Sequence, residues 1–169
     1  MQGLRWVDWW LPDAASRPEA VPSAPWKDCE YVLAKGSTLM QMKLEMIPIP
    51  VSDVERAIAF YADKLGFTKD VDVQPSEGVR VVQVTPEGSH CSLGFGTGLD
   101  VYKGDPGSIR GLHLVVEDID EARAELLRRG VQVSEIHDFG GGVRGADFSD
   151  PDGNSLELQE MAWRKGAEY

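Results

Sequence analysis

The chain has 169 residues, of which 42% are hydrophobic, and this composition suits one globular unit with a buried core. Its 17 basic and 28 acidic residues give a net charge of -11, which disfavours phosphate-rich partners and excludes a typical nucleic-acid-binding protein. The same charge favours neutral or cationic ligands.

The sequence shows no signal for export or membrane insertion. The segment Met1–Trp6 lacks a basic start followed by an apolar stretch, and no run approaches the roughly 18 apolar residues of a membrane span. Cys29 and Cys91 are too few and too far apart for a disulfide framework, so we expect two free thiols in a reducing compartment. These features predict a cytoplasmic protein that does not bind membranes.

Residues 1–42 differ in composition from the rest of the chain. They hold four of the five tryptophans and four of the ten prolines. A short helix is predicted from Pro25 to Lys35, with proline in its first turn and Gly36 just beyond its end. The segment is interpreted either as an extension outside the core or as an arm whose tryptophans cover a groove or a subunit interface.

A regular pattern begins at Leu44. Alternating apolar residues predict a strand with Ile47, Ile49 and Val51 on the core side. Asp53 is a good N-cap for an amphipathic helix that ends at Gly66. Three further strands are predicted, separated by clusters of turn residues, over 67–73, 79–84 and 91–95. The first part of the domain is therefore predicted to follow the order βαβββ.

The same order returns after a glycine-rich connection at 98–108. The seven residues from Val51 to Ala57 resemble those from Val116 to Ala122, 65 positions later, and Asp118 with Glu121 forms a second capping motif. Three strands are again predicted, over 131–136, 143–148 and 155–160, the last two joined by an Asp-Pro-Asp-Gly turn. A repeat of this length indicates two copies of one small module.

This doubled βαβββ order, its paired helix starts and the closing segment from Asp150 to Leu158 resemble the vicinal oxygen chelate superfamily. That group includes glyoxalase I, bleomycin and fosfomycin resistance proteins and extradiol dioxygenases. The resemblance covers residues 44–161 and implies an α+β fold, in which two βαβββ modules form a U-shaped mixed β-sheet groove. It also implies a homodimer, with modules that pair either within a chain or across the dimer. The predicted organisation is an extension at 1–42, a domain at 43–161 with modules 44–98 and 109–161, and a tail at 162–169.

Enzymes of this superfamily usually hold a divalent metal through four groove-facing side chains, on the first and last strand of each module. The resemblance places these positions at Met46, Gly111, Glu157 and near Ser92. Only Glu157 is a suitable ligand for a hard divalent ion, and one carboxylate does not make a site. We therefore expect no metal cofactor, with a divalent ion held by Glu157 and His113 as the alternative.

Side-chain alternation identifies the other candidate groove residues. Glu157 and His113 are the candidate catalytic pair, because an imidazole beside a carboxylate can orient a ligand or move a proton. Arg80 is a candidate partner for Glu157, and two aromatic residues are expected at the cavity mouth. The candidate ligand-binding set is Met46, Pro48, Arg80, His90, Ser92, Phe95, Val115, Phe148 and Gln159.

The sequence favours a metal-independent protein that sequesters or transforms a small organic ligand, and the acidic charge favours a cationic one. Whether it is an enzyme stays open, since a fold does not supply its chemistry. The competing function is a metal-dependent lyase, isomerase or dioxygenase that uses Glu157 and His113. A third interpretation is a structural or regulatory module whose groove is filled by its own tryptophan-rich arm.

Overall fold

A computed structural model describes residues 42–166. The expected helix from Pro25 to Lys35, Cys29 and nearly all of the proposed extension lie outside the described residues. Within them, no helix is both long and apolar enough to cross a membrane. Cys91 has a free thiol.

The described residues form eight strands and two principal helices in the expected doubled order. The first module contains β1 (Met46–Pro48), α1 (Val54–Ile58), β2 (Thr68–Ser76), β3 (Val79–Thr85) and β4 (Ser92–Thr97). The second contains β5 (Leu112–Val115), α2 (Ile119–Arg128), β6 (His137–Gly140), β7 (Val143–Ser149) and β8 (Ser155–Met161). A π-helical segment (Ala59–Lys64) extends α1, and two 3₁₀ turns occupy Asp100–Tyr102 and Ala162–Arg164.

Each module builds one mixed four-stranded sheet. The strand order is β1-β4-β3-β2 in the first sheet and β5-β8-β7-β6 in the second. The first strand of each module pairs in parallel with the last, and the remaining pairs are antiparallel. The predicted α+β fold of two βαβββ modules is confirmed.

Both predicted helix caps form. The carboxylate of Asp53 accepts a hydrogen bond from the backbone N–H of Arg56 at 3.0 Å, and that of Asp118 accepts one from Glu121 at 2.9 Å. Gly66 follows the first helix with φ of 79°, a conformation that side-chain-bearing residues rarely adopt. The repeated capping sequence therefore starts both helices at the same point of the module.

One predicted strand was placed wrongly. Residues 131–136 contain only a single bridge, between Val133 and Phe148, and the strand instead covers His137–Gly140. This segment pairs with β7 because Gly141 and Gly142, with φ of 64° and 83°, allow a tight reversal. Val131 and Val133 are buried, so their apolar character reflects core packing rather than strand pairing.

The core lies on the helix side of the two sheets. One continuous cluster of buried residues draws on both modules, and it includes Ile49 and Leu156, both fully buried. The rings of Tyr61 and Phe95 pack within it, with centroids 5.8 Å apart. Alternation along β1 and β8 therefore leaves the opposite side chains for the other face of each sheet.

Polar contacts between the modules centre on the turn before β8. The hydroxyl of Tyr61 donates to Oδ2 of Asp150 at 2.9 Å. The amide of fully buried Asn154 donates to the carbonyl of Pro50 at 3.1 Å, while its oxygen accepts from the N–H of Ile109 at 3.1 Å. The Asp-Pro-Asp-Gly turn thus joins the first module to the second as well as linking two strands.

Candidate functional site

The face of the second sheet that points away from the helices carries three of the predicted polar groove residues, His113, Glu157 and Gln159. His113 on β5 lies opposite Glu157 on β8, which in turn lies opposite Asp147 on β7. Val115 and Gln159 are the next opposed pair along β5 and β8. We call this surface the acidic face, and it consists of His113, Val115, Asp147, Glu157 and Gln159.

Glu157 and His113 are close neighbours on the acidic face. Nδ1 of His113 lies 3.8 Å from Oε2 of Glu157, and the Glu157 side chain is only 15% exposed. Burial raises the pKa of the Glu157 carboxyl, the nearby His113 opposes this, and Asp147 raises it further. A partly buried carboxyl with a raised pKa, next to an imidazole, can bind a cation or exchange a proton.

The Glu157 carboxylate occupies space left by a glycine. A Cβ atom at Gly145 would lie 2.3 Å from Oε1 of Glu157 and 2.7 Å from the ring of Phe139. Gly145 has no positive φ, so the close approach of these side chains explains the glycine better than backbone conformation does. Phe139 is 52% exposed and adds an aromatic surface beside the carboxylate.

The corresponding face of the first sheet has a different chemistry. Met46 lies opposite Ser92, and the Met46 sulfur is 2.5 Å from where a Cβ at Gly94 would stand. The buried hydroxyl of Ser92 lies 2.8 Å from the Thr85 hydroxyl, which in turn donates to Asp70. Pro48 follows Met46 on the same face. This face therefore presents mainly apolar and hydroxyl groups.

The donors in one chain do not fit the metal site of the superfamily. Of the four expected positions, Met46, Gly111 and Ser92 offer no carboxylate or imidazole, and only Glu157 carries a suitable side chain. Within residues 42–166, no group of three or more His, Cys, Asp or Glu side chains is arranged to hold a metal ion.

Three of the predicted groove residues point to the helix side. Arg80 binds Asp72, with Nε 2.9 Å from Oδ1, and Glu55 on α1 at 2.5 Å, so it is not the partner of Glu157. The hydrogen bonds from Arg80 and Lys69 hold the pKa of Asp72 well below its usual range. Phe95 is fully buried against Tyr61, and Phe148 is 4% exposed. All three share strand parity with core residues, so alternation along the strands turns them toward the helices.

A deep cleft lies on the helix side, and the sequence patterns did not predict it. Its volume is about 940 Å³, and it separates α2 from the loop between β3 and β4. His90 lies in that loop at the cleft, and Phe148 lines its interior. His113 and Val115 also line it, because β5 is the edge strand between the cleft and the acidic face.

A second repeated motif marks this cleft in the sequence. The segment Thr85-Pro86-Glu87-Gly88-Ser89 stands 65 residues before Asp150-Pro151-Asp152-Gly153-Asn154. The later copy forms the polar junction between the modules, whereas residues of the earlier copy line the open cleft. The difference between Asn154 and Ser89 at the ends of these turns is the sequence signal that the two junctions between the modules differ.

The position of His113 depends on a register difference between the modules. The repeat relates Met46 to Gly111 and Ser92 to Glu157, and Met46 does lie opposite Ser92. In the second module, however, His113 rather than Gly111 lies opposite Glu157, a shift of two residues. A two-residue shift preserves the side-chain face, so His113 takes the place that the repeat assigns to glycine.

The fold agrees with the comparison with protein families. A model of the Glyoxalase/Bleomycin resistance protein/Dioxygenase superfamily matches residues 43–158. The chain belongs to this superfamily.

Solved structures give the same result. The chain is 36% identical to TnmS3, an antibiotic-binding protein from Streptomyces sp. CB03234, with a TM-score of 0.64 over 73% of this chain and 99% of that one. A glyoxalase/bleomycin resistance protein from the same organism is 39% identical, with a TM-score of 0.57 over 69% and 98%. A superfamily member from Sphaerobacter thermophilus DSM 20745 is 37% identical, with a TM-score of 0.63 over 73% and 100%. A comparison with curated proteins gave no match.

Proposed function

We propose that this protein binds a small organic cation in a groove at the acidic face, without a metal, and acts in the cytoplasm. The observation that carries the proposal is the partly buried Glu157 carboxylate, which shares one sheet face with Asp147. Two neighbouring carboxylates favour a bound positive charge, because a cation relieves both their repulsion and the cost of burying Glu157. The similarity to a protein described as antibiotic-binding supports a small-molecule ligand.

The proposed binding mode assigns different parts of the ligand to different surfaces. A basic nitrogen would lie between Glu157 and Asp147, with His113 and Gln159 as hydrogen-bonding neighbours. The apolar body would contact Val115 and Phe139, which are 37% and 52% exposed. Sequestration alone accounts for this arrangement, since it needs complementary contacts and no reacting group.

A homodimer would complete the groove. Among the described residues, β1 and β5 each pair with one strand only, so both have a free outer edge. Large apolar side chains also lie exposed on the open sheets, including Val73 at 50%. We propose that the first sheet of one chain faces the second sheet of its partner, which would enclose the ligand between Met46, Pro48 and Ser92 on one side and the acidic face on the other. Such a surface would bury exposed apolar area at an interface.

The distance between His113 and Glu157 supports a second candidate function. At 3.8 Å, one of these groups could take a proton from a bound ligand while the other returns it. The protein would then be a metal-independent lyase or isomerase. A metal-dependent lyase, isomerase or dioxygenase would need donors in addition to these two side chains.

A thermal-shift screen tests the binding proposal. The screen compares amines with their neutral N-acetyl forms. An amine that binds should raise the melting temperature in a way that saturates with concentration, whereas its N-acetyl form should not, and the effect should be lost in Glu157→Gln. His137→Asn, an exposed change on β6, serves as the control and should leave the shift in place. Stabilisation by neutral and charged members alike, or an unchanged response in Glu157→Gln, would contradict a cation site.

Two further measurements test the assembly and the absence of metal. Light scattering at micromolar concentration should give about twice the chain mass of 18.6 kDa, whereas the mass of a single chain would reject the dimer. Metal analysis of protein purified without chelator should find no stoichiometric divalent ion. Stoichiometric metal that is lost in Glu157→Ala would favour the metal-dependent alternative.

A further inference from the structure

The cleft on the helix side of the second sheet meets the acidic face at β5, where His113 and Val115 line it, but its floor lies on the opposite side of the sheet from Glu157. Its floor is formed by Leu65, Phe67, Leu114, Leu126, Phe148 and Leu158. Leu158 is adjacent in sequence to Glu157 and points to the opposite face of the sheet. A molecule on this floor would therefore lie across the sheet from a ligand bound at Glu157.

The fold does not require this cleft, because the equivalent place in the repeat is filled. There, Tyr61 packs in the core and its hydroxyl binds Asp150, while Asn154 binds the backbone of both modules. The repeat relates Tyr61 to Leu126 and Asn154 to Ser89. Leu126 has no hydroxyl, and the Ser89 hydroxyl bonds the backbone of Cys91 in its own loop. The polar junction is consequently absent on this side.

The chain segment before β1 also leaves the cleft open. Ile109, which precedes β5, packs against the core and bonds Asn154 through its backbone. Its counterpart in the repeat is Leu44, which lines the cleft and is 63% exposed. Three differences at equivalent positions thus produce one cavity. Its volume of about 940 Å³ falls in the range of about 300–1,000 Å³ typical of ligand sites.

The lining indicates the kind of ligand. The floor offers leucine side chains and two phenylalanine rings, and the charged residues include three basic and three acidic side chains. One of these pairs, Arg129 with Glu125, is already an ion pair. Such a lining has no net charge to select an ion, and desolvating an ion over an apolar floor is costly.

We propose that this helix-side cleft is a second binding site, which takes an uncharged and largely apolar aromatic molecule. Its lining does not include Glu157, Asp147 or Gln159, so the apolar molecule would not contact the carboxylates of the proposed cation site. The protein would therefore hold two chemically different ligands on opposite faces of one sheet.

Binding of the uncharged dye N-phenyl-1-naphthylamine to the full chain tests this site. The dye should show saturable fluorescence enhancement with one site per chain. Ala122→Phe places a ring in the cleft from α2 and should weaken binding by at least about tenfold. Ala124→Phe adds the same ring at an exposed position of the same helix and should leave the affinity unchanged. Glu157→Gln should also have no effect, which separates this site from the cation site.

Methyl NMR on the unsubstituted chain provides a test that needs no variant. The dye should shift the methyl signals of Leu126 and Leu158 and leave those of Val81, in the first sheet, unchanged. Absence of saturable binding would overturn the proposal. So would shifts confined to Val81, or equal dye affinity in Ala122→Phe and Ala124→Phe.

Discussion

Nδ1 of His113 lies 3.8 Å from Oε2 of Glu157, on two parallel strands whose register differs by two residues from that of the matching pair in the first module. The shift brings an imidazole, rather than Gly111, opposite the carboxylate. The second sheet thereby has a polar pair that the first sheet lacks, although both sheets have the same strand order.

Glu157 should make stability depend on pH in a direction opposite to that of an ordinary ion-paired carboxylate. Burial raises the pKa of Glu157 in the folded state, so the folded chain binds this proton more readily than the unfolded chain does. The ionised carboxylate thus costs stability above the raised pKa, and the cost disappears as pH falls below the unfolded value. Glu157→Gln should therefore raise the free energy of unfolding, relative to that of the unsubstituted chain, by more at neutral pH than in acid.

Urea unfolding of both chains across the acid range measures this difference. Comparing the two chains cancels the opposite contributions of Asp152 and Glu160, whose pKa values are lowered by their partners. A difference in unfolding free energy that stays constant with pH would show that Glu157 is not desolvated in the folded state.

Gly145→Ala should change the acidic face without unfolding the protein. The added Cβ would meet the end of the Glu157 side chain and the Phe139 ring, both of which can move. Displacement toward water should lower the Glu157 pKa toward its ordinary value, as measured by carbon NMR titration. Gly94→Ala is the control, because its Cβ meets only the flexible Met46 side chain on the other sheet. An unchanged Glu157 titration in Gly145→Ala would reject this account of the glycine.

Tyr61→Phe should weaken the junction between the modules. The change removes the buried hydroxyl that donates to Asp150 and leaves the packing of the ring in place. Loss of one such hydrogen bond should lower the free energy of unfolding by about 1–2 kcal/mol in a urea titration. Tyr102→Phe, at a half-buried ring outside the junction, should change it by less than about 0.5 kcal/mol. Equal effects at both positions would contradict a specific role for the Tyr61 hydroxyl.

Asn154→Ala should lower the free energy of unfolding more than Ser89→Ala, the substitution at the equivalent position of the repeat. Asn154 is fully buried, and its side chain bonds Asp150, Pro50 and Ile109. Removing it leaves the Pro50 carbonyl and the Ile109 N–H without this partner, and takes one hydrogen bond from Asp150, at a cost of about 2–4 kcal/mol. Ser89→Ala removes an exposed hydroxyl that bonds only its own loop and should cost less than about 1 kcal/mol. Thermal and urea unfolding of the two variants should rank them in this order, and the reverse order would reject the proposed asymmetry.

The repeat and its periodicity predicted much of the fold. The caps at Asp53 and Asp118, the two helices and the alternation along β8 follow from local preferences that neighbouring residues satisfy. The strand predicted at 131–136 failed because buried valines occur both in strands and in irregular core segments. Local pattern does not distinguish these cases, whereas the pairing of β6 with β7 across Gly141 does.

The candidate site was predictable only in part. Alternation placed Glu157, His113 and Gln159 on one face. It could not exclude Arg80 as a partner of Glu157, because the Arg80 side chain is held by Asp72 and Glu55 from other elements. Alternation also gave no indication of the cleft at Leu126 and Ser89. At the equivalent place in the repeat, Tyr61 and Asn154 fill the corresponding space.

The sequence by itself determined the two βαβββ modules, their helix starts and the face on which Glu157 lies, because each depends on residues close together in the chain. Only the tertiary structure decided that His113 lies opposite Glu157, that Arg80 and Phe95 point to the helix side, and that one junction between the modules is filled while the other is open. These outcomes depend on strand register and on contacts between residues distant in sequence. Packing and hydrogen bonding across the modules stabilise these arrangements, and no local sequence pattern encodes such contacts.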